Sequence, residues 1–203
     1  LDIGCGSGRA MRHFKQQGVQ VSGIEPSQAA IDRSGELQSC IFSGYLSEFN
    51  ETRWFDVVYL EQVLSHVDDV VAFMKRAVEL CQPGGIFLIE EPNDNNQFQK
   101  YMMQYNLAPE SYWVTPDHSH CFNKETLTSI LTQVGLEVID GQMTWPMEWF
   151  QISGDDYIGD DEKGAVVHEK RYKMLASLTY EQRMSLGRWF YDNGIGRDLV
   201  MYL

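Results

Sequence analysis

Nowhere in the 203 residues does an apolar run reach the roughly 18 that span a bilayer. The opening residues also lack the charged, apolar and small-residue segments of a secretory signal. Cysteine is scarce: there are four, at positions 5, 40, 81 and 121, and no two stand at the spacing of a zinc or redox motif. They read as free thiols, which predicts a reducing, cytoplasmic setting. Positive charge is in deficit too. Sixteen Lys and Arg against 29 Asp and Glu give a formal net charge of −13. A surface of that sign repels phosphate backbones and anionic lipid, so neither nucleic acid nor a membrane is expected as a partner. The acidic stretch "SGDDYIGDDEKG" at 153–164 lacks EF-hand spacing and reads as a solvated helix start. No internal repeat or low-complexity tract occurs. What remains, 43% hydrophobic and 22% charged residues, suffices for the core of one domain, with or without a large insertion.

Over residues 1–93 strand and helix signals alternate. Leu1–Ile3 reads as the tail of a buried strand whose start is missing, followed by a glycine turn and the helical stretch "RAMRHFKQQG". "VQVSGIE" alternates and is β-branched, so a second strand is expected to end at Glu25. A short helix with Pro26 in its first turn precedes a third strand, "SCIFSG". A fourth strand is expected from Asp56 to about Leu60, then an amphipathic helix with acids first, then the apolar fifth strand after "PGG". This rhythm predicts an α/β fold with a parallel sheet covered on both faces, its ligand beyond the carboxyl ends of the strands.

Residues 94–122 read as a long loop with some helix. Asn123 caps a helix that Gly135 closes, and "LEVIDGQMTW" is a strand. Residues 146–195 interrupt what is otherwise a short turn, with two helices, the second opened by a Thr179–Gln182 capping box. "GRDLVMYL" closes the sheet. The expected division is therefore a core of 1–145 plus 196–203 and a helical insertion of 146–195.

A glycine turn between strand and helix lets a ligand approach backbone at a helix N-terminus. Dinucleotide sites space those glycines G-x-G-x-x-G, whereas here they are Gly4, Gly6 and Gly8, one place early, with Arg9 next. Asp2, two residues before the first glycine, is unwelcome beside a pyrophosphate and welcome beside an ammonium or sulfonium. Glu25 ends the second strand and can accept both hydroxyls of a ribose. The combination describes a nucleoside with a cationic tail and no phosphates, which S-adenosylmethionine satisfies.

Four segments, "LDIGCGSG", "VSGIEPS", "FDVVYLEQVLSHVDD" and "LCQPGGIFLIEEPN", stand in the order and approximate spacing of one family. Over about half its length the chain resembles the class I S-adenosylmethionine-dependent methyltransferases. "PDHSHCFNKETLTSILTQVGLEV" is similar to a segment of a broad subgroup. The resemblance implies a doubly wound, mostly parallel sheet of seven strands, the last antiparallel and slotted between the fifth and sixth. It implies that Asp2 reaches the methionine amino group, that Gly4, Gly6 and Gly8 bed the methionine portion, that Glu25 with Pro26 beside it holds the ribose, and that Leu60 offers its carbonyl. Two positions depart from the family. Gly44-Tyr45 replaces Gly-Asp, which leaves adenine to the Leu46 backbone, to Tyr45 stacking, or to Ser47 and Glu48. Leu64-Ser65-His66 replaces Leu-Glu-His. Family members carry some tens of residues before the first motif, so a cofactor-covering segment is expected upstream.

Methyl transfer from a sulfonium is an in-line displacement helped by alignment and by a base near neutral pKa. His66 is read as catalytic or as a structural residue at a helix start; His118 as an acceptor contact or base; His120 less so; His13 and His168 as solvated. A metal is not expected, since His118 and His120 have no evident third ligand. Some family members use acids at the end of the fifth strand to bind magnesium, but here Glu90, Glu91, Asn93 and Asp94 are expected to hydrogen-bond an acceptor or loop backbone. The aromatics of "ESYWVTP" and "MTWPMEWF" line an acceptor pocket or cover the sheet edge, and the insertion is an acceptor-side cap or a homodimer surface. The expected function is methylation of a small molecule, a sugar, lipid-linked precursor or secondary metabolite, on oxygen. The rivals are a non-catalytic protein that binds the same cofactor and, against the glycine spacing, an NAD-dependent oxidoreductase.

Overall fold

The computed structural model describes residues 1–51, 54–109 and 118–203. Seven strands, β1 (Asp2–Ile3), β2 (Gly23–Glu25), β3 (Ile41–Ser43), β4 (Phe55–Glu61), β5 (Cys81–Pro92), β6 (Asp140–Met143) and β7 (Asp198–Tyr202), form one sheet in the order β3-β2-β1-β4-β5-β7-β6. The first five pair in parallel, and β7 runs antiparallel to both β5 and β6. The expected architecture is therefore the one observed.

Around the sheet lie α1 (Arg9–Gln16), α2 (Gln28–Asp32), α3 (Val70–Leu80), α4 (Gln97–Gln104), α5 (Lys124–Gln133), α6 (Glu148–Ile152), α7 (Asp161–Ala176) and α8 (Tyr180–Asn193). Their starts follow local chemistry. The Asn123 side chain accepts the Thr126 N–H at 2.9 Å, and the Thr179 hydroxyl accepts the Gln182 N–H at 3.3 Å while the Gln182 amide oxygen accepts the Thr179 N–H at 2.9 Å.

One face of the sheet is dry. Val58, Leu60, Phe87, Ile89, Leu199 and Met201 pack there with Met74 and Ala77 of α3 and Leu127 and Leu131 of α5 in one core. Each such side chain contributes about 1.5–3 kcal/mol of burial. The opposite face is thinner. Phe14 of α1 meets Tyr59 edge to face at 5.9 Å, while Val57 and Ile86 beyond it are each 42% exposed. Helix α8 lies close against β6. Arg188 pairs with Asp140 at 2.7 Å, and the Tyr191 ring occupies the space a side chain at Gly141 would fill.

Three elements differ from expectation. Strand β2 starts at Gly23 rather than Val19, with Gly23 and Ile24 opposite Asp2 and Ile3 of β1. Strand β6 shrinks to four residues as Leu136 and Val138 turn into the core instead. Helix α6 falls where no helix was expected, built around a fully buried Glu148. Among the described residues no helix is long and apolar enough to cross a membrane.

Candidate active site

The turn after β1 carries the site. Gly4 and Gly6 have φ of 73° and 53°, which a side chain makes costly. A Cβ on Gly4 would also stand 2.6 Å from the Val63 side chain, so the turn and the loop after β4 meet over bare backbone. Two cavities open here and share Gly4 and Gln62. The larger, about 840 Å³, runs past Glu25, Pro26, Tyr45, Leu46 and His66. The smaller, about 270 Å³, is walled by Asp2, Gly6, Ser7, Arg9 and Glu61. An elongated ligand lying across Gly4 fills both, with its cationic end among the carboxylates.

Glu25 is 8% exposed and already committed on both oxygens: Oε2 accepts the Gly6 N–H and Oε1 the Ser27 N–H, each at 2.8 Å. A carboxylate oxygen has room for two donors, so each retains a place for one hydroxyl of a diol. The backbone bonds fix the carboxylate's orientation before any ligand arrives. Asp2 is buried, and desolvation pushes its pKa up to about 7, with Glu61 and Glu25 adding to the rise. An incoming ammonium reverses that cost. The donor set thus fits a nucleoside with an aminoacyl sulfonium tail. Tyr45 is 65% exposed at the cavity rim and its N–H is taken by Glu48 at 2.7 Å, whereas Leu46 is buried beneath.

Two expected positions fall elsewhere. Strand β4 runs one residue further than predicted, to Glu61; the Leu60 side chain is fully buried within the sheet and lines neither cavity, whereas Gln62, with φ 54°, lines both. Gly8 lies behind the turn, against Leu37, and lines neither cavity. Sequence reading missed the Arg9–Glu61 ion pair across the smaller cavity. Its only signal was an acid one place past the assumed strand end.

His66 and His118, 52 positions apart, come together. Their rings stand 4.8 Å apart at 77°, His66 on the wall of the larger cavity. His118 Nδ1 is buried with no hydrogen-bond partner among the described residues. The Ser65 carbonyl accepts N–H bonds from Ser119 at 2.8 Å and His120 at 3.3 Å, which stitches the two segments together. His120 Nε2 lies 3.3 Å from the Asp68 carbonyl oxygen, away from the pair. His13 lies on α1 and His168 on α7, outside both cavities.

The polar run at the end of β5 serves loop backbone. Glu91 receives the N–H groups of Val63 and Leu64, and Asn93 Nδ2 donates to the carbonyls of Gly194 at 3.1 Å and Gly196 at 2.8 Å. Burial raises the Asp94 pKa against the opposing pull of Arg197 and His118. Of the aromatics, Trp145 packs on Phe190 at 5.4 Å and Trp149 on Phe98 at 5.9 Å. Tyr112 and Trp113 lie outside the described residues.

Comparison with known proteins agrees with this geometry. The methyltransferase-domain family model matches residues 1–140. A ubiquinone biosynthesis O-methyltransferase of Rhodopseudomonas palustris (strain BisB5) is 37% identical over 134 residues, 58% of this chain and 53% of that protein. The human mitochondrial ubiquinone biosynthesis O-methyltransferase is 28% identical over 155 residues, 68% of this chain and 41% of that one. The chain thus spans about half the length of the relatives it matches. A SAM-dependent methyltransferase from Archaeoglobus fulgidus shares the fold, with a TM-score of 0.63 at 16% identity over 100% of this chain and 83% of that one. With the glycine turn, the acid closing β2 and the strand order, these matches show that the chain belongs to the class I S-adenosylmethionine-dependent methyltransferases.

Proposed function

We propose that the chain binds S-adenosylmethionine across Gly4 and transfers its methyl group to a hydroxyl oxygen of a small molecule. The observation that carries this reading is the His66–His118 pair at the wall of the cavity that Glu25 shares. When bound, the cofactor supplies an electrophilic methyl on a sulfonium. Glu25 and Pro26 hold the ribose, Tyr45 and the Leu46 backbone face the adenine, and Asp2 balances the ammonium. Gly4 and Gly6 keep the channel open. His66, backed by His118, takes the acceptor's hydroxyl proton as the O–C bond forms and the S–C bond breaks, leaving S-adenosylhomocysteine and a protonated imidazole.

The names of the relatives support an O-methyl acceptor of the kind met in ubiquinone biosynthesis. The acidic surface, with a formal net charge of −13, favours such a molecule over nucleic acid. The 146–195 insertion acts as a cap on the acceptor side, since Glu148 of α6 reaches Gln99 of α4 at 3.1 Å and Arg197 at 2.9 Å beyond the carboxyl ends of β5 and β6. The exposed Trp189 and Tyr180 of α8 favour a second use of that insertion, as a homodimer surface. A reducing, cytoplasmic setting suits four cysteines that are all free.

Calorimetric titration with S-adenosylmethionine and S-adenosylhomocysteine, with NAD as control, tests the cofactor. Turnover of phenolic and catecholic acceptors then tests the chemistry. Binding without turnover of any acceptor, unaltered by His66→Ala with His118→Ala, returns the non-catalytic reading.

A further inference from the structure

Glu91 is a carboxylate on the apolar side of the sheet. It lies on β5, is 0% exposed, and points to the dry face of the sheet among Leu60, Ile89 and Leu199. A buried acid persists only if donors meet it. Here they come from backbone. Oε1 accepts the N–H of Val63 at 2.8 Å and of Leu64 at 2.6 Å. Burial raises the Glu91 pKa, and these donors pull it back.

The N–H groups belong to the turn that builds the site. Gln62 leaves β4 in a left-handed conformation, and a 3₁₀ turn over Leu64–His66 follows. Nothing in β4 itself holds those first N–H groups, so Glu91 acts as their acceptor from the neighbouring strand. From this turn Val63 reaches down onto Gly4, and His66 faces the larger cavity. The Ser65 carbonyl then carries Ser119 and His120, and so sets His118 beside His66. One carboxylate oxygen therefore stands at the root of both imidazoles.

We infer that Glu91 is a positioning residue for methyl transfer: by gripping the backbone of Val63 and Leu64 it fixes where the His66 and His118 rings stand at the cofactor cavity. Its catalytic consequence rests on the function proposed above. The role is one of reach, not charge. Glu91→Gln keeps an acceptor oxygen at the same place. Glu91→Asp keeps the charge but withdraws the oxygens by about 1.5 Å, beyond hydrogen-bond distance of both N–H groups.

The test compares Glu91→Gln, Glu91→Asp and Glu91→Ala with the parent chain, in the presence of S-adenosylhomocysteine. It follows cross-relaxation between the His66 and His118 ring protons by NMR and measures kcat and KM separately. The Gln variant is expected to keep the ring contact and to stay within threefold of the parent kcat. The Asp and Ala variants are expected to lose the contact and at least tenfold in kcat, with KM for S-adenosylmethionine within threefold. Should the buried substitutions fail to fold, Ser119→Pro, at an exposed residue, removes a downstream link in the same chain. It is expected to separate the rings likewise. A ring contact that survives in Asp, Ala or Ser119→Pro variants overturns the inference, as does an Asp variant as active as the Gln variant. Loss of the contact with unchanged turnover upholds the grip on the turn and overturns the catalytic assignment of the two histidines.

Discussion

The Gly6 N–H donates to Glu25 Oε2 at 2.8 Å, joining the turn after β1 to the end of β2. The bond makes the glycine turn and the acid proposed to hold the ribose a single unit. Glu25→Gln is expected to weaken S-adenosylhomocysteine binding about tenfold to a hundredfold, since hydrogen bonds to a charged group contribute roughly 1.5–3 kcal/mol. Calorimetric Kd values for the parent and the variant check this, and a Kd within twofold of the parent refutes the ribose role.

The pair of raised carboxyls gives a pH signature. Burial lifts Asp2 from 3.8 and Glu90 from 4.5, each to about 7. Between those values and 7 the folded chain binds more protons than the unfolded one. The stability contributed is present in full below about pH 4 and lost as pH rises towards 7, with little change beyond. Thermal melts of the ligand-free protein at pH 5 and pH 8 are expected to show the lower Tm at pH 8, and Asp2→Asn to reduce the difference.

The same group gives ligand binding the opposite slope. A carboxylate must be deprotonated to balance an ammonium, so affinity for S-adenosylmethionine is expected to fall by up to about tenfold per pH unit below 7. Titration in two buffers of different ionisation enthalpy should show a proton released on binding. Asp2→Asn should abolish that release.

Removal of an imidazole should cost rate rather than affinity. His66→Ala is expected to lower kcat roughly 10²–10⁴-fold, the usual range for a general base, while KM for S-adenosylmethionine changes less than fivefold. His118→Ala should fall in the same direction by a smaller factor. An unchanged kcat for His66→Ala refutes the base assignment.

Glu148 is completely buried and holds Arg197 at 2.9 Å. Glu148→Ala removes this buried ion-pair partner from the guanidinium, at a cost of roughly 3 kcal/mol. For a chain of this size that corresponds to a Tm lower by about 6–12 °C. A shift under 2 °C would show that the pair adds little.

Much of this was legible because the signals are local. Asn123, Thr179 and Gln182 announce their helices through bonds spanning three residues, and Gly4, Gly6 and Glu25 announce a nucleoside site through spacing. The misses are relations across the sheet. Whether β4 ends at Leu60 or Glu61 depends on its pairing with Glu90. No periodicity within 62–66 reveals that Glu91 will hold that turn. Nothing around His66 reveals that His118 will stand beside it. Glu148 reads as a surface acid until Gln99 and Arg197 are brought to it from distant segments.

The strand order also sets a schedule. Strand β6 has β7 as its one neighbour in the sheet, and β7 fills the place between β6 and β5. Residues 198–202 must therefore return across more than a hundred positions before β5 gains its second partner, and across more than fifty before β6 gains its first. Closing a loop of that length is slow and is rewarded only at the end. During synthesis the β1–β5 ladder can assemble while β6 waits unpaired. The proposed acceptor side of the site, which hangs on Gly194, Gly196 and Arg197 just before β7, takes shape in the final step. Cofactor competence should accordingly precede catalytic competence as the chain folds.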